Sequence, residues 1–188
     1  MNLPVYMDYH ATTPCDPRVV EAMLPYFSQH YGNAASQGHS FGWYAAEAVR
    51  IAREEIASLL NADPTEIIFT SGATEAINLA IRGVFEMMGD RGKHVIAVAT
   101  EHRAVLDTCK HIEKLGAEVS YLPVGPDGLV DLDTLQSSIR PDTILIAVMY
   151  ANNETGVIQP VRLMSEIARK KGILFFTDAT QAIGKIPV

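Results

Sequence analysis

Apolar residues recur at helical spacing in the first part of the chain. Asp16 followed by Pro17 is typical of an N-cap with proline at the first helical position, so we expect a helix to begin there. Its apolar positions are Val19, Val20, Met23, Leu24 and Phe27. A second amphipathic stretch, expected to end near Asn61, has one apolar face formed by Phe41, Tyr44, Ala48, Ile51, Ala52, Ile56, Leu59 and Leu60.

Beyond this helix, short apolar runs alternate with helical patterns. We expect strands at 67–70, 94–99, 119–122, 143–149 and 173–176. The segments between them predict helices at about 73–88, 104–115, 132–139 and 161–171. Asp131 is the expected N-cap of the third of these, and Gly116 and Gly172 should close the second and the fourth. The last two strands are almost continuously apolar, so the sequence predicts an α/β fold: a mostly parallel sheet with helices on both faces.

The composition fits a globular protein and argues against some classes of function. The chain has 188 residues, of which 48% are hydrophobic and 20% charged. A formal net charge of -7 without a basic cluster argues against a nucleic-acid partner. The first residues lack the pattern of a secretory signal, and no apolar run has the length of a membrane span. We therefore expect a cytoplasmic protein with no membrane partner.

The two cysteines predict neither a disulfide scaffold nor a metal site. Cys15 and Cys109 lie far apart, and no Cys or His spacing is typical of a zinc site. Cys109 lies on the apolar stripe of the helix at 104–115, so we expect a core residue. Cys15 lies in a Pro-Cys-Asp-Pro turn, and we assign it no role.

A turn of small residues follows the predicted strand at 67–70. It reads Ser-Gly-Ala-Thr-Glu at 71–75 and opens directly into a helix. Free backbone N–H groups and the positive end of the helix dipole favour an anion such as a phosphate, and Thr74 adds a hydroxyl. A plain N-cap turn is the alternative.

Polar side chains follow three more strands, at the sheet edge where α/β proteins bind ligands. His102 comes after the strand at 94–99 and is suited to stacking on a planar ring or to moving protons; the alternative is a helix cap or a surface residue. Asn152 and Asn153 follow the strand at 143–149, but asparagine also favours turns for backbone reasons alone.

Asp178 comes directly after the buried strand at 173–176. A carboxylate in that position is costly unless it meets a cation. The protonated pyridine nitrogen of pyridoxal phosphate (PLP) is such a cation, and a salt bridge to Arg103 or Lys185 is the alternative. Together, the four strand ends indicate a pocket for a planar, phosphorylated, cationic ring.

Five ordered segments carry a resemblance to a known family. They read YMDYHATTP at 6–14, TSGATE at 70–75, EHRAVL at 101–106, NNETG at 152–156 and DATQA at 178–182. In order and spacing they resemble the cysteine desulfurases that supply iron–sulfur cluster assembly, which are PLP-dependent transferases of the class V aminotransferase family and of fold type I. The resemblance extends through the whole chain, with His10 standing where the family often has Asn or Ser.

The resemblance implies a PLP site. Ala73 and Thr74 would hold the cofactor phosphate, and His102 would stack on the pyridine ring and act as the catalytic proton-transfer residue.

The resemblance also implies polar contacts to the ring and a domain organisation. Asp178 would pair with the ring nitrogen, Gln181 would hydrogen-bond the phenolic oxygen, and Asn153 would lie beside that oxygen and the substrate carboxylate. Residues 1–15 would form an arm of the small domain, and residues 16–188 the N-terminal part of an incomplete PLP-binding large domain.

Parts of the family's machinery are missing from this chain. A Ser-x-His-Lys segment with the Schiff-base lysine, a mobile-loop cysteine and a carboxylate-binding arginine all lie further along in the family. We therefore expect a complementary C-terminal half and a homodimer-like assembly of two such pairs. The expected reaction takes L-cysteine to L-alanine and passes sulfur through an enzyme persulfide to an iron–sulfur scaffold or another acceptor protein. The alternatives are a selenocysteine lyase or another class V lyase, and a non-catalytic fragment or regulatory half-domain.

Overall fold

A computed structural model describes residues 4–188, which form two compact units. The first unit ends at Phe69, and the second comprises Thr70–Val188. The predicted arm at 1–15 and large domain at 16–188 stay a prediction, and residues 1–3 of that arm lie outside the described residues.

Two helices dominate the first unit. Helix α1 is Pro17–Ser28 and helix α2 is Ser40–Leu60. The predicted start of α1 is confirmed, because Asp16 accepts a hydrogen bond from the Arg18 N–H at 2.8 Å with proline at the first helical position. The predicted end of α2 is confirmed as well, with Asn61 as C-cap in the left-handed conformation (φ 51°). In the part of the chain that the structure describes, no helix is long and apolar enough to cross a membrane.

The predicted strand at 67–70 is wrong. A 3-10 turn at Pro64–Glu66 leads into this segment, which pairs with no strand among residues 4–188. Instead, the Arg53 guanidinium donates to the carbonyl of Ile67 and lies 4.9 Å from the ring centroid of Phe69. An apolar run becomes a strand only when a neighbouring backbone completes the ladder, and here a side chain supplies the hydrogen bond instead.

The second unit alternates helices and strands as predicted. Its helices are α3 (Ala73–Met88), α4 (Arg103–Lys114), α5 (Leu132–Ser138) and α6 (Val161–Lys170). Its strands are β1 (His94–Val98), β2 (Glu118–Leu122), β3 (Thr143–Ala147) and β4 (Leu174–Phe176). Asp131 caps α5, and Gly116 and Gly172 have positive φ after α4 and α6, so these predicted helix boundaries are confirmed.

The four strands form one parallel sheet in the order β2-β1-β3-β4. Strand β1 is buried along its whole length because helices cover both faces. Val95 and Ala97 point into a core shared with α3 and α4, whereas Ile96 and Val98 point into a second core with α5 and α6. The predicted fold class, a mostly parallel sheet between two layers of helices, is confirmed.

The two cysteines lie in contrasting environments. Cys109 is fully buried on α4, in the core between that helix and the sheet, as predicted. Cys15 is exposed.

Candidate functional site

The segments after β1, β3 and β4 meet at the carboxyl edge of the sheet, where three hydrogen bonds join them. The bonds run from Asn152 Nδ2 to the Thr100 carbonyl (2.9 Å), from the Met149 N–H to Glu101 Oε1 (2.6 Å), and from the Tyr150 N–H to the Asp178 carbonyl (2.9 Å). The structure thereby brings the segments that carry His102, the asparagine pair and Asp178 to one edge, where parallel sheets bind ligands.

Asp178 is a buried carboxylate with only 6% of its surface exposed. Its Oδ1 accepts hydrogen bonds from the N–H of Thr180 at 3.0 Å and from its hydroxyl at 2.6 Å. Within residues 4–188, no cationic side chain lies within 4.0 Å of it, so neither of the anticipated salt bridges, to Arg103 or to Lys185, is present. The carboxylate is therefore hydrogen-bonded on one oxygen and has no counter-charge in the described part of the chain.

Gln181 is half-buried one turn beyond Asp178. Its Oε1 accepts a hydrogen bond from Lys185 Nζ at 2.6 Å, and this leaves its amide NH₂ group to act as a donor. The Tyr150 hydroxyl donates to the carbonyl of Pro187 at 3.1 Å and ties this segment to the end of β3. The segment that carries Gln181 is thus fixed to the same edge.

His102 is the N-cap of α4. Its Nδ1 accepts the N–H of Ala104 at 3.1 Å, and the side chain is otherwise exposed. Since Nδ1 is an acceptor, a neutral ring carries its proton on Nε2. The cap predicted as an alternative role is present, and it leaves Nε2 and the ring faces open to a ligand.

The turn before α3 exposes backbone N–H groups. Ala73 and Thr74 are the first two residues of the helix, and their N–H groups find no acceptor in the described chain. The Glu75 carboxylate accepts from the N–H and the hydroxyl of Ser71, at 2.7 and 2.6 Å, and these bonds hold the pKa of Glu75 below its usual value. No hydrogen bond between described residues joins this turn to the β1, β3 and β4 ends.

The structure separates the roles of the two adjacent asparagines. Besides its bond to Thr100, Asn152 accepts the N–H groups of Glu154 and Thr155, each at 2.9 Å, so its amide is committed to the loop. Asn153 is half-buried, and its side chain has no hydrogen bond within residues 4–188. Of the two amides, Asn153 is the one left to meet a ligand.

Glu101 is a buried residue to which the sequence reasoning assigned no role. It lies directly before His102 and is 6% exposed. Its Oε1 accepts the Met149 N–H, while its Oε2 is buried and has no partner in the described chain. Burial, and then the charge of Asp178, raise the pKa of Glu101 to about 8, against the lowering effect of the Met149 N–H. A carboxylate just after a buried strand is the signal that identified Asp178, and it identifies Glu101 as well.

Comparisons with known proteins place the chain in a family. Residues 5–188 match the family model described as Aminotransferase class-V. The cysteine desulfurase IscS of Dechloromonas aromatica (strain RCB) is 56% identical over 189 residues, which cover 100% of this chain and 47% of that protein. The chain thus spans about half the length of the curated relatives it matches.

Solved structures of similar proteins also match this chain over about half of their own length. A NifS-like protein superposes with a TM-score of 0.94 at 42% identity, over 98% of this chain and 51% of that one. SspA in complex with cysteine superposes with a TM-score of 0.92 at 38% identity, over 97% of this chain and 52% of that one. The fold described above is therefore the fold of one half of these proteins.

Proposed function

We propose that this chain, which belongs to the class-V aminotransferase family, supplies the N-terminal half of a PLP-dependent cysteine desulfurase. In the proposed reaction, L-cysteine and a protein thiol give L-alanine and a protein persulfide, so that the sulfur atom of cysteine passes to the thiol sulfur. The observation that carries this proposal is Asp178, a buried carboxylate at the end of β4 with no cation within 4.0 Å among the described residues.

The residues present fit the cofactor. Burying a carboxylate without a nearby positive charge is costly, and the protonated ring nitrogen of PLP supplies such a charge. The exposed N–H groups of Ala73 and Thr74 at the start of α3 suit a phosphate. When bound, PLP supplies an electron sink for bonds broken next to the substrate nitrogen.

Each of the other candidate residues has one polar group available to the cofactor or the substrate. His102 presents Nε2, which can hold a proton or pass it on, because its Nδ1 is fixed by the cap. The amide NH₂ group of Gln181 is the donor for the phenolic oxygen, because its Oε1 is taken by Lys185. The free amide of Asn153 is the contact for that oxygen and for the substrate carboxylate.

A complementary C-terminal half would supply the lysine and the sulfur-accepting cysteine. Exposed apolar side chains in the first unit support assembly with further protein: α1 has no buried residue, and Leu24 and Phe27 on its apolar face are 57% and 74% exposed. We propose that this half-chain and its complement pair, that two such pairs associate, and that the sulfur passes in the cytoplasm to an iron–sulfur scaffold or another acceptor protein.

The test is turnover by the assembled protein. The chain is produced together with its complementary half, loaded with PLP, and assayed for alanine released from L-cysteine and, separately, from L-selenocysteine. Alanine from cysteine, with one persulfide formed for each alanine, supports the proposal. Turnover of selenocysteine alone would instead indicate a selenocysteine lyase, and bound PLP without turnover of either substrate would indicate a regulatory half-domain.

A further inference from the structure

Glu101 is a buried acid that the proposed function leaves without a role. It follows β1 directly and precedes His102, and its side chain is buried at the edge where Asp178 lies. Oε1 accepts the Met149 N–H at 2.6 Å, whereas Oε2 has no hydrogen-bond partner in residues 4–188. A carboxylate oxygen buried in that way loses its hydration without compensation, but a protonated oxygen has far less hydration to lose.

The charges around Glu101 also favour its neutral form. The titratable groups that interact with it are Asp178 after β4 and Cys109 on α4, and both become negative when they ionise. No Lys, Arg or His side chain in the described part of the chain lies within 4.0 Å of the carboxyl. A second negative charge beside Asp178 would therefore be unbalanced, and burial together with that repulsion raises the pKa of Glu101 to about 8.

Glu101 is also placed to control the position of the candidate site. The Met149 N–H that it binds is followed at once by Tyr150, whose own N–H bonds the backbone carbonyl of Asp178 at 2.9 Å. Through these two bonds, and beside the bond from Asn152 to Thr100, the Glu101 carboxyl links the segment that carries His102 to the one that carries Asp178.

We propose that Glu101 is a positioning residue that stays protonated on Oε2 and, through Oε1, holds the end of β1 against the end of β3. Among the described residues, Asp178 is then the only buried acid at this edge that is left to carry a negative charge. This statement about Asp178 rests on the proposed function, in which Asp178 is the partner of the cofactor ring.

Infrared difference spectroscopy tests the protonation state directly. A protonated carboxyl has a C=O stretch that a carboxylate lacks, so at neutral pH the native assembly minus its Glu101→Gln variant should show one buried carboxylic-acid band. The matched control is Glu154→Gln, which changes an exposed acid in the loop after β3 and should show no such band. A carboxylate signal in place of the acid band would overturn the proposal.

Amide hydrogen exchange and PLP binding test the positioning. Glu101→Gln keeps a neutral oxygen acceptor, so protection of the Met149 N–H and affinity for PLP should stay near native values. Glu101→Ala removes the acceptor, and we expect exchange at Met149 to accelerate about tenfold, together with weaker PLP binding. Native protection in the alanine variant, or loss of PLP binding in the glutamine variant, would refute the role.

These readouts separate the two proposals. The infrared band and the Met149 exchange rate require neither cofactor nor turnover. If both behave as expected while the assembly binds no PLP, the proposed function fails and the protonated, positioning Glu101 stands. If PLP binds and cysteine turns over while Glu101 is ionised, the positioning proposal fails alone.

Discussion

Asp178→Asn isolates the charge of the candidate site from its shape. Asparagine keeps Oδ1 in place, so both hydrogen bonds from Thr180 can persist, and we expect the free energy of unfolding to change by less than about 1 kcal/mol. Turnover should respond very differently, because the amide has no charge to pair with the ring nitrogen. Loss of one preorganised electrostatic contact typically lowers kcat by about 10²–10³-fold, and we expect a loss of that order.

The same substitution should be detectable at Glu101. The charge of Asp178 is one cause of the raised pKa of Glu101, and burial is the larger one. Removing that charge should therefore lower the pKa of Glu101 from about 8 but leave it above the ordinary 4.5. The carboxylic-acid infrared band of Glu101, followed through a pH titration, measures this shift.

The assay compares kcat, PLP absorbance and the urea midpoint for the native assembly, Asp178→Asn and a matched control. The control is Asp131→Asn, which makes the same chemical change at the N-cap of α5, where asparagine caps as well as aspartate. The control should be close to native in all three. An Asp178→Asn assembly with native turnover and an unchanged cofactor spectrum would refute the assignment of Asp178 as partner of the ring nitrogen.

Three further predictions concern other titratable or reactive groups. Burial lowers the pKa of His94 in the folded protein, so as the pH falls the unfolded chain takes up a proton on this side chain before the folded protein does. The contribution of His94 to the free energy of unfolding should therefore be complete above pH 6.5 and decrease as the pH falls from there toward the lowered pKa of the folded protein. Urea midpoints measured against pH should show this decrease in the native protein and lack it in His94→Gln. Borohydride reduction with PLP, followed by peptide mapping, should find no stoichiometric adduct on Lys185 despite its contact with Gln181, because we expect the cofactor-binding lysine in the complementary half; a full adduct would contradict this. Iodoacetamide should label exposed Cys15 and spare native Cys109, since burial raises the pKa of that thiol to about 12, and equal labelling by mass spectrometry would contradict this.

Helix ends and the sheet could be predicted because their signals are local. The N-caps Asp16 and Asp131 and the closing glycines act within one turn of the residues that they stabilise, and apolar runs between helices indicate buried parallel strands. The segment at 67–70 has the same apolar signal and is not a strand. Strand formation depends on a neighbouring backbone, which the local pattern does not encode; here the carbonyl of Ile67 is bound by the side chain of Arg53.

The position of the candidate site could be predicted from the sequence. Which of its side chains are held by hydrogen bonds within the protein, and which are available to a ligand, could not. Residues after buried strands reach the same edge by topology alone. Which of Asn152 and Asn153 is committed depends on the carbonyl of Thr100, which lies 52 positions away in sequence. The hydrogen bond that Glu101 accepts likewise comes from a distant residue, Met149, 48 positions away. The local sequence pattern therefore identified the motif around His102 but not the role of the acid beside it.

The segment after β3 is hydrogen-bonded to the segments after β1 and after β4, because β3 lies between these two strands in the sheet. Met149 and Asn152 bond toward the β1 end, while the Tyr150 N–H bonds the carbonyl of Asp178. Two of these three bonds use backbone N–H groups of this segment, so side-chain changes at Met149 or Tyr150 leave those donors in place. The acceptor for the Met149 N–H, by contrast, is the Glu101 side chain, and a substitution such as Glu101→Ala removes it. Besides the pairing of the strands and the bond from Asn152 to Thr100, the link between the segments of His102 and Asp178 therefore includes a side chain, Glu101, that is hydrogen-bonded to neither residue.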